Sequence, residues 1–264
     1  MTQHRHWQDF RAPEFAVIDP MRTIAILPIA AIEQHGPHLP VGTDTIINQG
    51  LLDMLADSIP AELDVRILPL QAIGKSNEHL WAPGTLTLSA ENALRVWQDI
   101  GLSVARAGVR KLLIVNSHGG NADLISILAR ELRVRAGMLA VRAGWGAFGM
   151  PDGLYSEQEQ RYGIHGGDVE TSLVLHFRPE MVDMSRAEDF RSTAEKDGIP
   201  PTGPFGYGWI ASDLNPHGVV GEANLASADK GHRTAGKMIR DMLGLLHQIA
   251  HTDLDGMSPV IPLV

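Results

Sequence analysis

Short, wholly apolar runs alternate along this chain with longer stretches in which apolar residues recur every three or four positions. The first run, Ile24 to Ile32, reads as a buried strand leading into a polar segment. Thr45–Ser58 follows with Ile47, Leu51, Met54 and Leu55 at helical spacing and a stop at Pro60. Val65–Leu70 is a second short strand. Ser89 then has the character of an N-cap, ahead of a helix carrying Leu94, Trp97, Ile100 and Val104 on one face and closed by Gly108. Lys111–Val115 predicts a third strand, a helix bearing Leu124, Leu128 and Leu132 runs to Gly137, and Met138–Val141 predicts a fourth strand. A short helix opens near Asp168 and stops at Pro179, and a long one is predicted from Ala226 to His251. Residues 1–22, with Trp7, Phe10 and Phe15, suggest a short packing helix, and residues 188–224, rich in Gly and Pro, an ordered excursion over the surface. Strands alternating with helices in this way predict a three-layer α/β/α sandwich with a mainly parallel central sheet.

Composition narrows the function. A chain of 264 residues suits one domain spanning 1–264 with a sizeable core. Its net charge of −9, with no basic run, argues against nucleic acid or an anionic membrane as partner. No run approaches the 18 or so apolar residues of a membrane span, and Met1 to His6 does not read as a signal peptide. The absence of cysteine is compatible with a cytoplasmic location and excludes thiolate chemistry. Any chemistry therefore falls to His, Asp and Glu.

Those residues gather where strands end. Beyond Ile32 the sequence changes to Glu33-Gln34-His35-Gly36-Pro37-His38-Leu39-Pro40, with Asp44 just ahead of a helical pattern. In an extended backbone Glu33 and His35 share a face, and Gln34 points elsewhere. Two carboxylates and an imidazole suit a divalent cation taking N and O ligands; the competing reading is a polar loop capping a strand, with Asp44 as a helix N-cap. His118 directly follows the third strand and precedes Gly119-Gly120. Ligands collect beyond the carboxyl ends of parallel strands, so the two motifs are expected to converge. His165-Gly166-Gly167 is similar, with Glu170 about one helical turn on and Asp168 expected to point away, toward solvent or a cap. The polar loop Gly74 to Thr85 is of the kind that carries function, and Ser76 and Asn77 within it are candidate substrate contacts. Of twelve histidines, His38 is expected to pack or support a ligand, and His79 and His217 have no assigned role.

Taken together, Glu33 to Pro40 with Asp44, then Asn116-Ser117-His118-Gly119-Gly120-Asn121, then His165-Gly166-Gly167-x-x-Glu170-Thr171-Ser172, resemble the creatininase family, as does Trp81-Ala82-Pro83-Gly84-Thr85. The similarity runs from about residue 20 to about residue 250. It implies a binuclear centre of two divalent metal ions (zinc first, with manganese or iron also fitting) and hydrolysis of a C–N bond, other than a peptide bond, in a small cyclic amide or formamide. Carried over by position, Glu33 and His118 hold one metal, His35 the other, Asp44 bridges both, and Glu170 completes the coordination of the metal held by His35. His165 is then the residue that contacts substrate and moves protons, and Trp145 stands where creatininase places a lid tryptophan. Creatininase itself has Tyr and Glu where this chain has Gly119 and Gly120, which speaks against creatinine as substrate. The family analogy also implies a small-molecule substrate and a homo-oligomer, a hexamer in relatives. Cleavage of a C–C bond in a cyclic ketone, a peptidase acting on a peptide precursor, and a non-catalytic metal- or small-molecule-binding protein are the alternatives on the same site.

Overall fold

The computed structural model describes residues 4–197 and 199–258. The outermost residues of the unit expected over 1–264, including the Met1–Gln3 start of the N-terminal stretch, lie outside the described residues. A parallel sheet in the order β2-β1-β3-β4 forms the centre, from β1 (Ile24–Ile29), β2 (Val65–Ile67), β3 (Lys111–Asn116) and β4 (Leu139–Gly144). Around it lie α1 (Ala12–Phe15), α2 (Thr43–Ser58), α3 (Ala90–Arg106), α4 (Ala122–Ala136) and α5 (Glu157–Tyr162). They are followed by α6 (Asp168–Phe177), α7 (Ala194–Asp197), α8 (Ala211–Leu214) and α9 (Ala228–His251).

Every residue of β1 and β3 is buried, as expected of strands covered on both faces. The two-residue period then sorts side chains between layers. Ile24 and Ile26 pack with Leu51 and Leu55 of α2 and Met238, Met242 and Leu246 of α9. Ala25, Leu27 and Ile29 pack instead with Trp97 of α3 and Leu128 and Leu132 of α4. The sandwich is therefore the three-layer one the alternation predicts.

Boundaries moved where local chemistry intervenes. The apolar run continues to Ile32, but pairing with β3 stops at Ile29, opposite Asn116. Helix α2 begins at Thr43 with Gly42 as its N-cap, so Asp44 lies inside the first turn and is not the cap. Ser89 does cap α3, its hydroxyl accepting from the Asn92 N–H at 3.2 Å, and Gly137 ends α4 at φ +66°. The described residues of the 188–224 stretch include a small antiparallel pair, β5 (Asp189–Phe190) with β6 (Gly221–Glu222).

Candidate metal centre

Four of the five residues expected as metal ligands meet beyond the carboxyl ends of β1 and β3. Glu33 and His35 come from the segment after β1, Asp44 from the first turn of α2, and His118 from the turn after β3. The two Asp44 oxygens face different histidines: Oδ1 lies 3.8 Å from His35 Nε2 and Oδ2 lies 3.6 Å from His118 Nδ1. Glu33 Oε1 lies 3.2 Å from His118 Nδ1, and Glu170 Oε2 lies 3.7 Å from His35 Nε2. Two donors each about 2.0–2.2 Å from a common ion stand about 3 to 3.5 Å apart, so this spacing is close to that of a coordination shell. Overlapping triplets within the cluster, such as Glu33–His35–Asp44 and His35–His165–Glu170, are compact enough to hold an ion.

The hydrogen bonds behind the histidines fix which nitrogen is bare. His35 Nδ1 donates to the Glu33 carbonyl at 3.0 Å, leaving Nε2 as a lone pair aimed at Asp44 and Glu170. His118 Nε2 donates to the Lys75 carbonyl at 3.0 Å, leaving Nδ1 toward Glu33 and Asp44. A histidine whose far nitrogen is spent on a carbonyl is the usual form of a metal ligand. Both Glu33 oxygens, His35 Nε2 and Asp44 Oδ2 are buried without a hydrogen-bond partner. Each such group costs about 1–3 kcal/mol, more if charged, so the donor set fits a cation and is strained without one.

The electrostatics agree. Burial works against a charged His118, but Glu33, Asp44 and Glu78 outweigh it and hold the imidazole up at about 10. A proton there stands in for positive charge that the three carboxylates demand. Burial, then Glu33, pushes Asp44 well above the ordinary carboxylate range. His35 and His165 are both pushed down to about 4, chiefly by burial.

The structure also brings in residues that the sequence did not single out. His79 lies with its Nε2 3.4 Å from Glu33 Oε1, and its Nδ1 accepts from the Gln34 amide at 2.9 Å. The protonated nitrogen of His79 therefore faces Glu33 without completing a hydrogen bond to it. Gln34, expected to point away, is held by Gly36 N–H and the Gly218 carbonyl so that its amide meets His79. His165 Nε2 donates to the Gln34 carbonyl at 2.7 Å, leaving Nδ1 bare at 3.5 Å from Glu33 Oε1.

Other expectations are met in part. His38 Nε2 lies 3.0 Å from the Gly166 carbonyl and from Thr171 Oγ1, a supporting place as expected. Asp168 does point away, but into a buried ion pair with Lys230 rather than to solvent. Asn77 lines a cavity of about 450 Å³ beside His79, His118 and His165. Ser76 does not: it is fully buried behind His118, 3.3 Å from Nε2. Trp145 is buried, its indole N–H donating to Asn48 at 3.1 Å, and it walls a separate cavity of about 320 Å³ with His118 and Glu170. That placement is a fixed wall, not an exposed lid. His217 is exposed and outside the cluster.

Beneath the His165–Glu170 turn lies Glu159, only 1% exposed. Its oxygens accept from the backbone N–H groups of Val169 at 3.2 Å and Glu222 at 2.7 Å. Gly163, Gly167 and Gly221 close around it, and a Cβ on any of them would strike the carboxylate. Glu159 thus ties α5, the start of α6 and β6 together, and through the paired backbones of His165 and Val220 it supports the site.

The family model for creatinine amidohydrolase matches residues 8–246. The chain belongs to the creatininase family. It is 32% identical over 82% of its length, and 81% of the relative's, to the mycofactocin precursor peptide peptidase of Mycobacterium ulcerans. It is 28% identical to the creatinine amidohydrolase of Pseudomonas putida, over 83% of this chain and 85% of that one. A manganese form of creatininase superimposes with a TM-score of 0.75 at 23% identity, over 95% of this chain and all of that one, which shows the shared fold. Gly120, where the sequence reading expects a departure from creatininase itself, is tightly enclosed. A side chain there would run into Glu78 Oε1, His118 Nε2 and the Lys75 carbonyl, so the position has no room for a carboxylate.

Proposed function

We propose that this protein is a binuclear metal-dependent hydrolase that cleaves the C–N bond of a small amide or formamide. The observation that carries the proposal is the split use of Asp44, one oxygen toward His35 and the other toward His118, amid buried donors without partners. Glu33 and His118 would hold one ion, His35 and Glu170 the other, with Asp44 shared. When bound, a pair of divalent ions lowers the pKa of a water and polarises the scissile carbonyl. Three carboxylates supply most of the negative charge that two dications require. Glu170 also accepts from the Gly166 N–H at 2.6 Å, which fixes its oxygen toward His35. His79 sets its Nε2 3.4 Å from Glu33 Oε1, at the edge of the centre.

His165 is the group that moves protons. With Nε2–H tied to the Gln34 carbonyl, Nδ1 is free to take a proton from the attacking water and return it to the leaving nitrogen. Its ring lies between those of His35 and His79, tilted by 37° and 32° at centroid distances of 4.1 and 4.4 Å, which holds Nδ1 in place.

A peptide C–N bond is the second reading, favoured by the 32% identity to a peptide-precursor peptidase and by a cavity larger than a small ring amide fills. Elemental analysis of purified protein tests the metal half: up to two divalent ions per chain are expected, and none after incubation with Zn²⁺ or Mn²⁺ would refute it. Mass-spectrometric screening for addition of one water, across cyclic amides, formamides, cyclic ketones and short peptides, tests the bond.

A further inference from the structure

Resting on that reading, we infer that the substrate carries an aromatic group beside the bond that is cut, bound by Trp209 and Tyr207. Both line the 450 Å³ cavity that also reaches His79, His118 and His165, and Ile164 and Ile210 line it with them. A cavity of this size suits a ligand that is largely enclosed. Tyr207 is 38% exposed and Ile210 is 45% exposed, so two apolar side chains stand open to solvent at this wall.

The wall is built, not incidental. Trp209 and Ile164 pack on a buried cluster of Ala194, Leu214 and Val220. The indole N–H of Trp209 donates to the Pro201 carbonyl at 2.9 Å, so the ring offers a ligand only its apolar surface. Val220 in turn exchanges two backbone hydrogen bonds with His165, at 2.8 and 3.4 Å. The aromatic wall is thereby held at a fixed offset from the group that handles the proton. An aromatic group in the cavity would lie close to the reacting bond and could stack on Trp209. Ring pairs favour such contacts by about 0.5–1.5 kcal/mol beyond area alone. Gly119 also lines this cavity, and a Cβ there meets no heavy atom within 4 Å, so a side chain can be introduced at this position without a clash at its root.

Calorimetry on the zinc-loaded protein with three hydroxamates tests this directly. Acetohydroxamate reports the metal centre alone, and phenylacetohydroxamate and cyclohexylacetohydroxamate add rings of similar size with and without π-character. The parent should bind the phenyl probe about 3 to 10 times more tightly than the cyclohexyl one. Trp209→Leu, which keeps apolar bulk, should bring that ratio near one and leave acetohydroxamate unchanged. Gly119→Leu should weaken both ring probes and spare acetohydroxamate. Equal binding of the two ring probes by the parent, or a ratio that survives Trp209→Leu, overturns the inference. If the parent fails to bind even acetohydroxamate, the metal centre itself is refuted and the inference falls with it.

Discussion

Replacing Glu159 with glutamine separates two opposing effects on one buried carboxyl. Burial favours the neutral acid, whereas the N–H groups of Val169 and Glu222 favour the carboxylate. Burial wins: Glu159 is pushed up from its ordinary 4.5 to about 7, with the nearby charges of Asp168 and Glu222 adding to the rise. A raised carboxyl pKa means that the folded protein holds this proton more tightly than the unfolded chain. The stabilisation is therefore complete below about pH 4.5 and is lost as pH rises through about 7. At about 1.4 kcal/mol per pH unit, the gap is worth ~3 kcal/mol, of which ~2.5 kcal/mol falls between pH 5 and pH 8.

The substituted amide is nearly the same shape as the carboxyl but does not titrate. It also leaves one of the two backbone N–H groups without an acceptor, a cost of about 1–3 kcal/mol that does not vary with pH. The stability difference between parent and Glu159→Gln isolates the carboxyl from the pH dependence of everything else. Urea unfolding of both proteins at equal zinc load, from pH 5 to pH 8, should show the parent losing its advantage by ~2.5 kcal/mol as pH rises. A difference that stays flat would show that Glu159 does not titrate in this range. A difference that grows with pH would show that the two hydrogen bonds outweigh burial and hold the carboxyl down, reversing the argument.

The other predictions concern the centre itself. His165→Asn should retain its metals by elemental analysis while losing about 10²–10⁴-fold in turnover; loss of a metal would make His165 a ligand. Metal titration of the apo protein should show two weakened sites for Asp44→Asn but one for Glu170→Gln. If Glu170→Gln binds both ions as tightly as the parent, Glu170 only secures the Gly166 N–H. Light scattering at micromolar concentration should give the mass of a homo-oligomer, and a monomeric mass would refute the assembly expected from relatives.

Much of the centre was legible in the sequence because its ligands are attached to regular elements. The period of two placed Ile24 and Ile26 on one face and Ala25 and Leu27 on the other, and the alternation of strands and helices implied parallel pairing. Parallel pairing put the ends of β1 and β3 side by side, which brings Glu33, His35 and Asp44 to His118 without knowledge of any contact. The family resemblance added roles to those positions. What the chain does after leaving a strand was decided only in three dimensions. Gln34 escaped the rule of alternating faces because the segment beyond Ile29 no longer pairs regularly, and Gly36 turns it at φ +70°. His79 sits in a polar loop whose local sequence carries no sign that it folds back onto Glu33. Glu159 lies in a polar stretch to which the sequence pattern assigns no element, and glycines at 163, 167 and 221 close around it. The aromatic wall comes from a Gly/Pro-rich stretch without periodicity, and its position depends on Val220 pairing with His165 across 55 residues of chain. Local pattern fixes which face a side chain takes within an element; where irregular segments return depends on contacts that no local pattern encodes.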